Sequence, residues 1–98
     1  MDVLRQKEVE RLFQAILTLQ TVEECYRFFE DACTIKEIQE IAQRFDVASQ
    51  LWTGKSYQEV NQKTGASTAT ICRVKCLMYG SSGYQLVLKR MAEEEEHG

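Results

Sequence analysis

Apolar residues recur at helical spacing along most of the chain. Val9, Leu12, Phe13, Ile16 and Leu17 form one stripe, which predicts a first helix from about Asp2, its N-cap, to Leu19. Thr21-Val22-Glu23-Glu24 reads as a capping box that opens a second helix. That helix carries Val22, Cys25, Tyr26, Phe28, Phe29 and Ala32. Thr34 with Glu37 opens a third, which holds Ile35, Ile38, Ile41, Ala42, Phe45, Ala48, Leu51 and Trp52. Gly54 is a natural C′ residue to stop it. Ser56 with Glu59 opens a fourth helix that ends near Thr64-Gly65, where glycine permits the left-handed conformation of a sharp turn. The fifth runs from about Ser67 or Thr68 to Tyr79, stopped by Gly80. Ser82, with Gln85 in the box position, caps a sixth helix. It carries Tyr84, Leu86, Val87, Leu88 and Met91 and is expected to fray into Glu93–Glu96.

The first three helices hold more large apolar groups than one thin stripe needs. The second is apolar around most of its circumference, and the third spreads Phe45, Leu51 and Trp52 over two sides. Such helices are expected to be buried all round, and a chain of 98 residues has little volume in which to bury them. A second subunit supplying the missing core makes a homodimer the economical expectation. A compact monomeric six-helix bundle is the alternative.

Length and composition fit one soluble all-α domain over residues 1–92, followed by an acidic tail at 93–98. Proline is absent, which helices tolerate better than a turn-rich β fold would. No stretch approaches the roughly 20 apolar residues of a membrane span. The start, MDVLRQKEVE, has no apolar signal core, so a cytoplasmic protein is expected. The four cysteines, Cys25, Cys33, Cys72 and Cys76, form no CxxC pair, and the one histidine is His97. No metal or other cofactor is expected; reduced and mostly buried thiols are.

The net charge of −3 argues against a nucleic-acid partner until it is divided along the chain. Residues 1–53 carry a net −4 and residues 91–98 another −4. Residues 54–90 carry Lys55, Lys63, Arg73, Lys75, Lys89 and Arg90 against Glu59 alone, a net +5. An acidic body with a basic head is a workable division for a DNA-binding protein.

The basic segment also carries a motif. With Tyr57 as the first of twenty positions, Val60 falls fourth, Gly65 ninth, Ile71 fifteenth and Val74 eighteenth. A helix-turn-helix needs apolar, glycine, apolar and apolar residues there, because three apolar groups fill the wedge between two steeply crossing helices. The fifth position, often alanine for close approach, is Asn61. On the outward face Ser67, Thr68, Ala69 and Thr70 are short enough to approach bases, bond phosphate or pack on a thymine methyl. Cys72 lies one turn on, and Lys63, Arg73 and Lys75 offer charge to phosphates. Asn61, Lys63, Ser67, Thr68, Ala69, Thr70, Cys72, Arg73 and Lys75 are therefore the candidate DNA-contacting residues. A helical hairpin in a protein-interaction adaptor, without DNA reading, is the competing expectation. No catalytic base in a constellation, phosphate loop or metal cluster points to an enzyme.

The stretch Ser56 to Arg73, with Gly65-Ala66 and then Ala69-Thr70-Ile71-Cys72-Arg73, resembles the reader of the tryptophan repressor superfamily. Ala48 to Gly54 is similar to the helix entering that reader. Tyr79-Gly80-Ser81-Ser82-Gly83-Tyr84-Gln85 fits the superfamily's branch known as YerC/YecD. The resemblance covers residues 20–90. It implies a six-helix TrpR-like fold, an intertwined homodimer interleaving helices 1, 2, 3 and 6, and a DNA-binding transcription regulator that acts on double-stranded DNA. It also implies an effector pocket, since the two arginines that sandwich the repressor's indole ligand fall on Arg44 and Arg73. A glycine and a serine of that pocket fall on Val74 and Leu77. Valine adds bulk and leucine cannot bond a ligand amine, so L-tryptophan is not the expected effector. A polar group left unpaired in a buried site costs roughly 1–3 kcal/mol.

Overall fold

The computed structural model describes residues 6–79 and 82–97. Asp2 and Gly80, the expected cap and stop, lie outside them. The described residues form six helices and no strand. The chain divides near residue 35 into two compact units.

The first unit holds α1 (Lys7–Ile16) and α2 (Val22–Ala32). α1 ends earlier than its stripe suggested. Thr18 and Leu19 donate three residues back, to Ala15 and Ile16, and the Thr18 hydroxyl also donates to the Ala15 carbonyl at 2.7 Å. The tightened last turn satisfies carbonyls that the helix leaves open. α2 starts as expected: the Thr21 hydroxyl accepts from the Glu24 backbone N–H at 3.1 Å. The Glu24 carboxylate, however, reaches past the cap to the N–H of Gln20. No residue of either helix is buried. Burial all round, expected from the sequence, is therefore not met within the chain. Phe13 is 56 % exposed, Leu17 82 % and Val22 74 %.

The second unit holds α3 (Ile35–Trp52, its first residue still in unit 1), α4 (Tyr57–Thr64), α5 (Thr68–Leu77) and α6 (Gly83–His97). α3 closes where glycine predicted. Gly54 has φ +86°, its N–H reaches the Leu51 carbonyl, and the Lys55 N–H reaches that of Gln50. This paired closure satisfies two orphan carbonyls at once. Ser82 caps α6 by accepting from the Gln85 N–H at 3.1 Å, but the Gln85 side chain turns away to the Met78 carbonyl. α6 does not fray at the glutamates; it continues through them to His97. Glutamate is a good helix former, and four consecutive residues spread around the circumference, so only Glu93 and Glu96 share a face.

Val47 and Ala48 of α3, Val60 of α4, Ala66 of the turn, Ile71 and Val74 of α5 and Leu88 of α6 form one core. Phe45, Leu51, Met78 and Tyr84 pack against it. Trp52 and Ile41, expected inside, stay exposed. All four thiols are free, and three of them, Cys25, Cys72 and Cys76, are exposed. The expectation of mostly buried cysteines is thus corrected: three are exposed and Cys33 is half-buried.

Candidate nucleic-acid interface

The α4–α5 pair is built from short-range rules. Ser56 accepts from the Glu59 N–H at 3.3 Å, and the Glu59 carboxylate accepts from the Ser56 N–H at 3.1 Å. This reciprocal box satisfies two orphan donors of α4. The Ser56 backbone bond, then its hydroxyl, hold Glu59 below the usual carboxylate range, with Lys55 and Lys63 adding to the effect. The single acid of the basic segment is thereby committed to a cap. At the other end Gly65 takes φ +70°, a conformation that disfavours any residue with a Cβ.

Inside the turn, Asn61 donates from its side-chain nitrogen to the Ala66 carbonyl at 2.9 Å. The Thr64 hydroxyl donates back to Val60 and accepts from the Ala66 N–H. Gln43 of α3 donates to the Thr64 carbonyl at 3.2 Å, which anchors the end of α4. Val60, Ile71 and Val74 are essentially inaccessible to solvent and belong to one core.

The candidate contact residues fall on the other side. Asn61, Lys63, Ser67, Thr68, Ala69, Cys72, Arg73 and Lys75 are exposed, and Thr70 is half-buried. They are not equally free. The Ser67 hydroxyl caps α5, accepting from the Thr70 N–H at 3.2 Å and bonding the Thr70 hydroxyl at 3.1 Å. Asn61 serves the turn. Thr68, Ala69, Lys63, Arg73 and Lys75 have no such duty within the pair, except for one bond between Thr68 and the hydroxyl of Tyr57. Sequence reasoning did not single out Tyr57 as a contact. No local pattern signals a bond between residues eleven positions apart.

Two clefts flank α5. One, of about 340 Å³, is lined by Arg44, Thr70, Arg73, Val74, Leu77 and Tyr84. It brings together Arg44 and Arg73, which are 29 positions apart in the chain, and lies at the lower end of the size range of small-molecule sites. Tyr84, whose ring sits 6.5 Å from that of Phe45, is a wall the sequence reading did not identify. The other cleft has Leu51, Lys55, Tyr57, Ile71, Cys72 and Lys75 among its lining residues. Among the described residues no three His, Cys, Asp or Glu side chains group to hold a metal ion, and no helix is long and apolar enough to cross a membrane.

The chain is similar to known proteins. A family model described as Trp repressor protein matches residues 7–92. The chain belongs to the Trp repressor family, whose members are regulators rather than enzymes. It is 55 % identical over 95 residues to the protein YerC of Bacillus subtilis (strain 168), covering 96 % of this chain and 91 % of that one. Among solved structures, a TrpR-like protein from Eubacterium eligens ATCC 27750 is similar at TM-score 0.87 and 49 % identity, over 94 % of this chain and 96 % of that one. A candidate Trp repressor from Staphylococcus aureus is similar at TM-score 0.86 and 48 % identity, over 93 % and 92 %. The fold is all-α and TrpR-like.

Proposed function

We propose that this protein is a sequence-specific, homodimeric transcription regulator of the cytoplasm that lays α5 in the DNA major groove. The observation that carries this reading is the two-sidedness of the α4–α5 pair. Val60, Ile71 and Val74 are buried on one side. Lys63, Thr68, Ala69, Arg73 and Lys75 are exposed on the other, in a segment of net charge +5. Lysine and arginine supply sequence-independent attraction to phosphates; Thr68 and Ala69 reach base edges. Membership of the Trp repressor family supports the same reading.

The apolar side chains left exposed on α1, α2 and α6 support a second copy as their cover. A two-fold dimer presents two α5 helices to successive major grooves, so half-sites lie about 34 Å apart and the operator is roughly palindromic. The Arg44–Arg73 cleft is the proposed effector pocket. Buried Val74 and apolar Leu77 on its wall disfavour the ammonium group of L-tryptophan. Calorimetry should show no micromolar binding of L-tryptophan; binding that Arg44→Ala abolishes would reverse that assignment.

The test of DNA reading is selection from random duplexes at fixed salt, with affinities then measured across salt concentrations. The parent should enrich a palindrome. Lys75→Ala should weaken all sequences alike and lower the salt slope by about one. A parent that enriches nothing, with a slope insensitive to Lys75→Ala, would leave the adaptor function in its place.

A further inference from the structure

Three hydroxyls stand at the start of α5, on Ser67, Thr68 and Thr70. Two of them engage each other: the Ser67 hydroxyl accepts from the Thr70 backbone N–H as the cap and donates to the Thr70 hydroxyl. The third, on Thr68, is bonded instead by the Tyr57 hydroxyl from the first position of α4. Both side chains are exposed, so this bond does not rescue a buried polar group. It joins the first residues of the two helices.

Resting on the reading of α5 as the DNA-reading helix, we infer that Tyr57 is a positioning residue that sets how Thr68 presents itself to a base. A threonine hydroxyl has one proton and two lone pairs, and its χ1 divides between rotamers that exchange hydroxyl for methyl. An untied Thr68 therefore offers a base edge either a polar group or a methyl, which suit different bases. A phenol is a better proton donor than an alkyl alcohol, so Tyr57 donates and Thr68 accepts. Thr68 then keeps its own proton to donate, in one orientation. The match is an acceptor on the major-groove edge: guanine N7 or O6, adenine N7 or thymine O4. Tyr57 needs no contact with DNA for this.

The experiment is selection from random duplexes at fixed salt with the parent, Tyr57→Phe, Thr68→Val and the double variant, alongside thermal melts. Phenylalanine keeps the ring, so the melting point and the affinity for non-specific DNA should be unchanged. Tyr57→Phe should flatten the preference at one base pair of each half-site by about fivefold, the low end for a specific contact. Thr68→Val should flatten the same base pair, and the double variant should go no further, since coupled residues are non-additive. If the parent enriches a sequence and Tyr57→Phe leaves the profile intact, the positioning role is wrong while DNA reading stands. Equal weakening of all sequences by Tyr57→Phe, or additive effects in the double variant, would also overturn it. A parent that enriches nothing removes the reading on which it rests.

Discussion

In the α4–α5 pair, Val60, Ala66, Ile71 and Val74 are withdrawn from solvent within one chain, while α1 and α2 carry Phe13, Leu17, Val22 and Tyr26 in the open. The α4–α5 helices span eight and ten residues, those of the first unit ten and eleven, so length does not explain the contrast. Placement of the apolar groups does. Four small or branched residues converge on one wedge and join Val47, Ala48 and Leu88. The first unit instead arrays large side chains along exposed faces. A fully buried side chain of this kind contributes about 1.5–3 kcal/mol. The exposed faces thus hold a large stabilisation that one chain leaves unrealised, whereas the α4–α5 pair shares a core with α3 and α6 and keeps its polar side chains exposed.

The largest effect expected from this contrast is on association. Sedimentation equilibrium of the parent at micromolar concentration should give a mass near twice 11.3 kDa. Phe13→Glu, which places a carboxylate on the uncovered face of α1, should return the single-chain mass, at a cost of at least about 3 kcal/mol for an unpaired buried charge. A monomeric parent, or a variant that still dimerises, breaks the contrast on the α1 side. Next is the core around the α4–α5 pair. Ile71→Ala should lower the free energy of unfolding by roughly 2–5 kcal/mol in urea; a loss below about 1 kcal/mol would mean the wedge is not what holds α4 and α5 together.

A smaller effect isolates the turn. A Cβ at Gly65 would meet no atom within 4 Å, so Gly65→Ala should cost only the left-handed backbone strain, about 1–2 kcal/mol. A stabilised variant in the same urea series would remove the turn from the account. The smallest effect sharpens the account of the α4 cap. Glu59 is held below the usual carboxylate range by its bonds to Ser56. A lowered folded-state value means its contribution is present above the unfolded pKa and lost as pH falls through the folded one. Glu59→Gln does not titrate, so parent and variant melting points should differ near neutral pH and converge as the pH falls below the usual carboxylate range. A gap that widens on acidification would contradict the box.

Most of what local chemistry governs was legible in the chain. Ser56 with Glu59, Thr21 with Glu24, and Gly54 and Gly65 mark helix ends because each acts across three to five residues, a distance the sequence itself sets. Val60, Ile71 and Val74 could be assigned to the interior from their positions in the twenty-residue motif, and all three are buried. Glu93–Glu96 misled for the complementary reason. Their charge suggested a fraying acidic tail, while each residue's own helix preference is good and their circumferential spread limits repulsion.

Only the tertiary structure decided what those local rules leave open. It turned Asn61 inward to the Ala66 carbonyl, brought Gln43 to the end of α4, set Tyr57 on Thr68, and gathered Arg44, Arg73 and Tyr84 around one cleft. It also left Cys25, Cys72 and Cys76 exposed and the apolar faces of α1 and α2 uncovered. The physical reason is range. Helix starts, stops and stripes follow from neighbours a turn away, whereas a side chain's partner or exposure depends on which distant elements occupy the space beside it, and no spacing in the sequence encodes that.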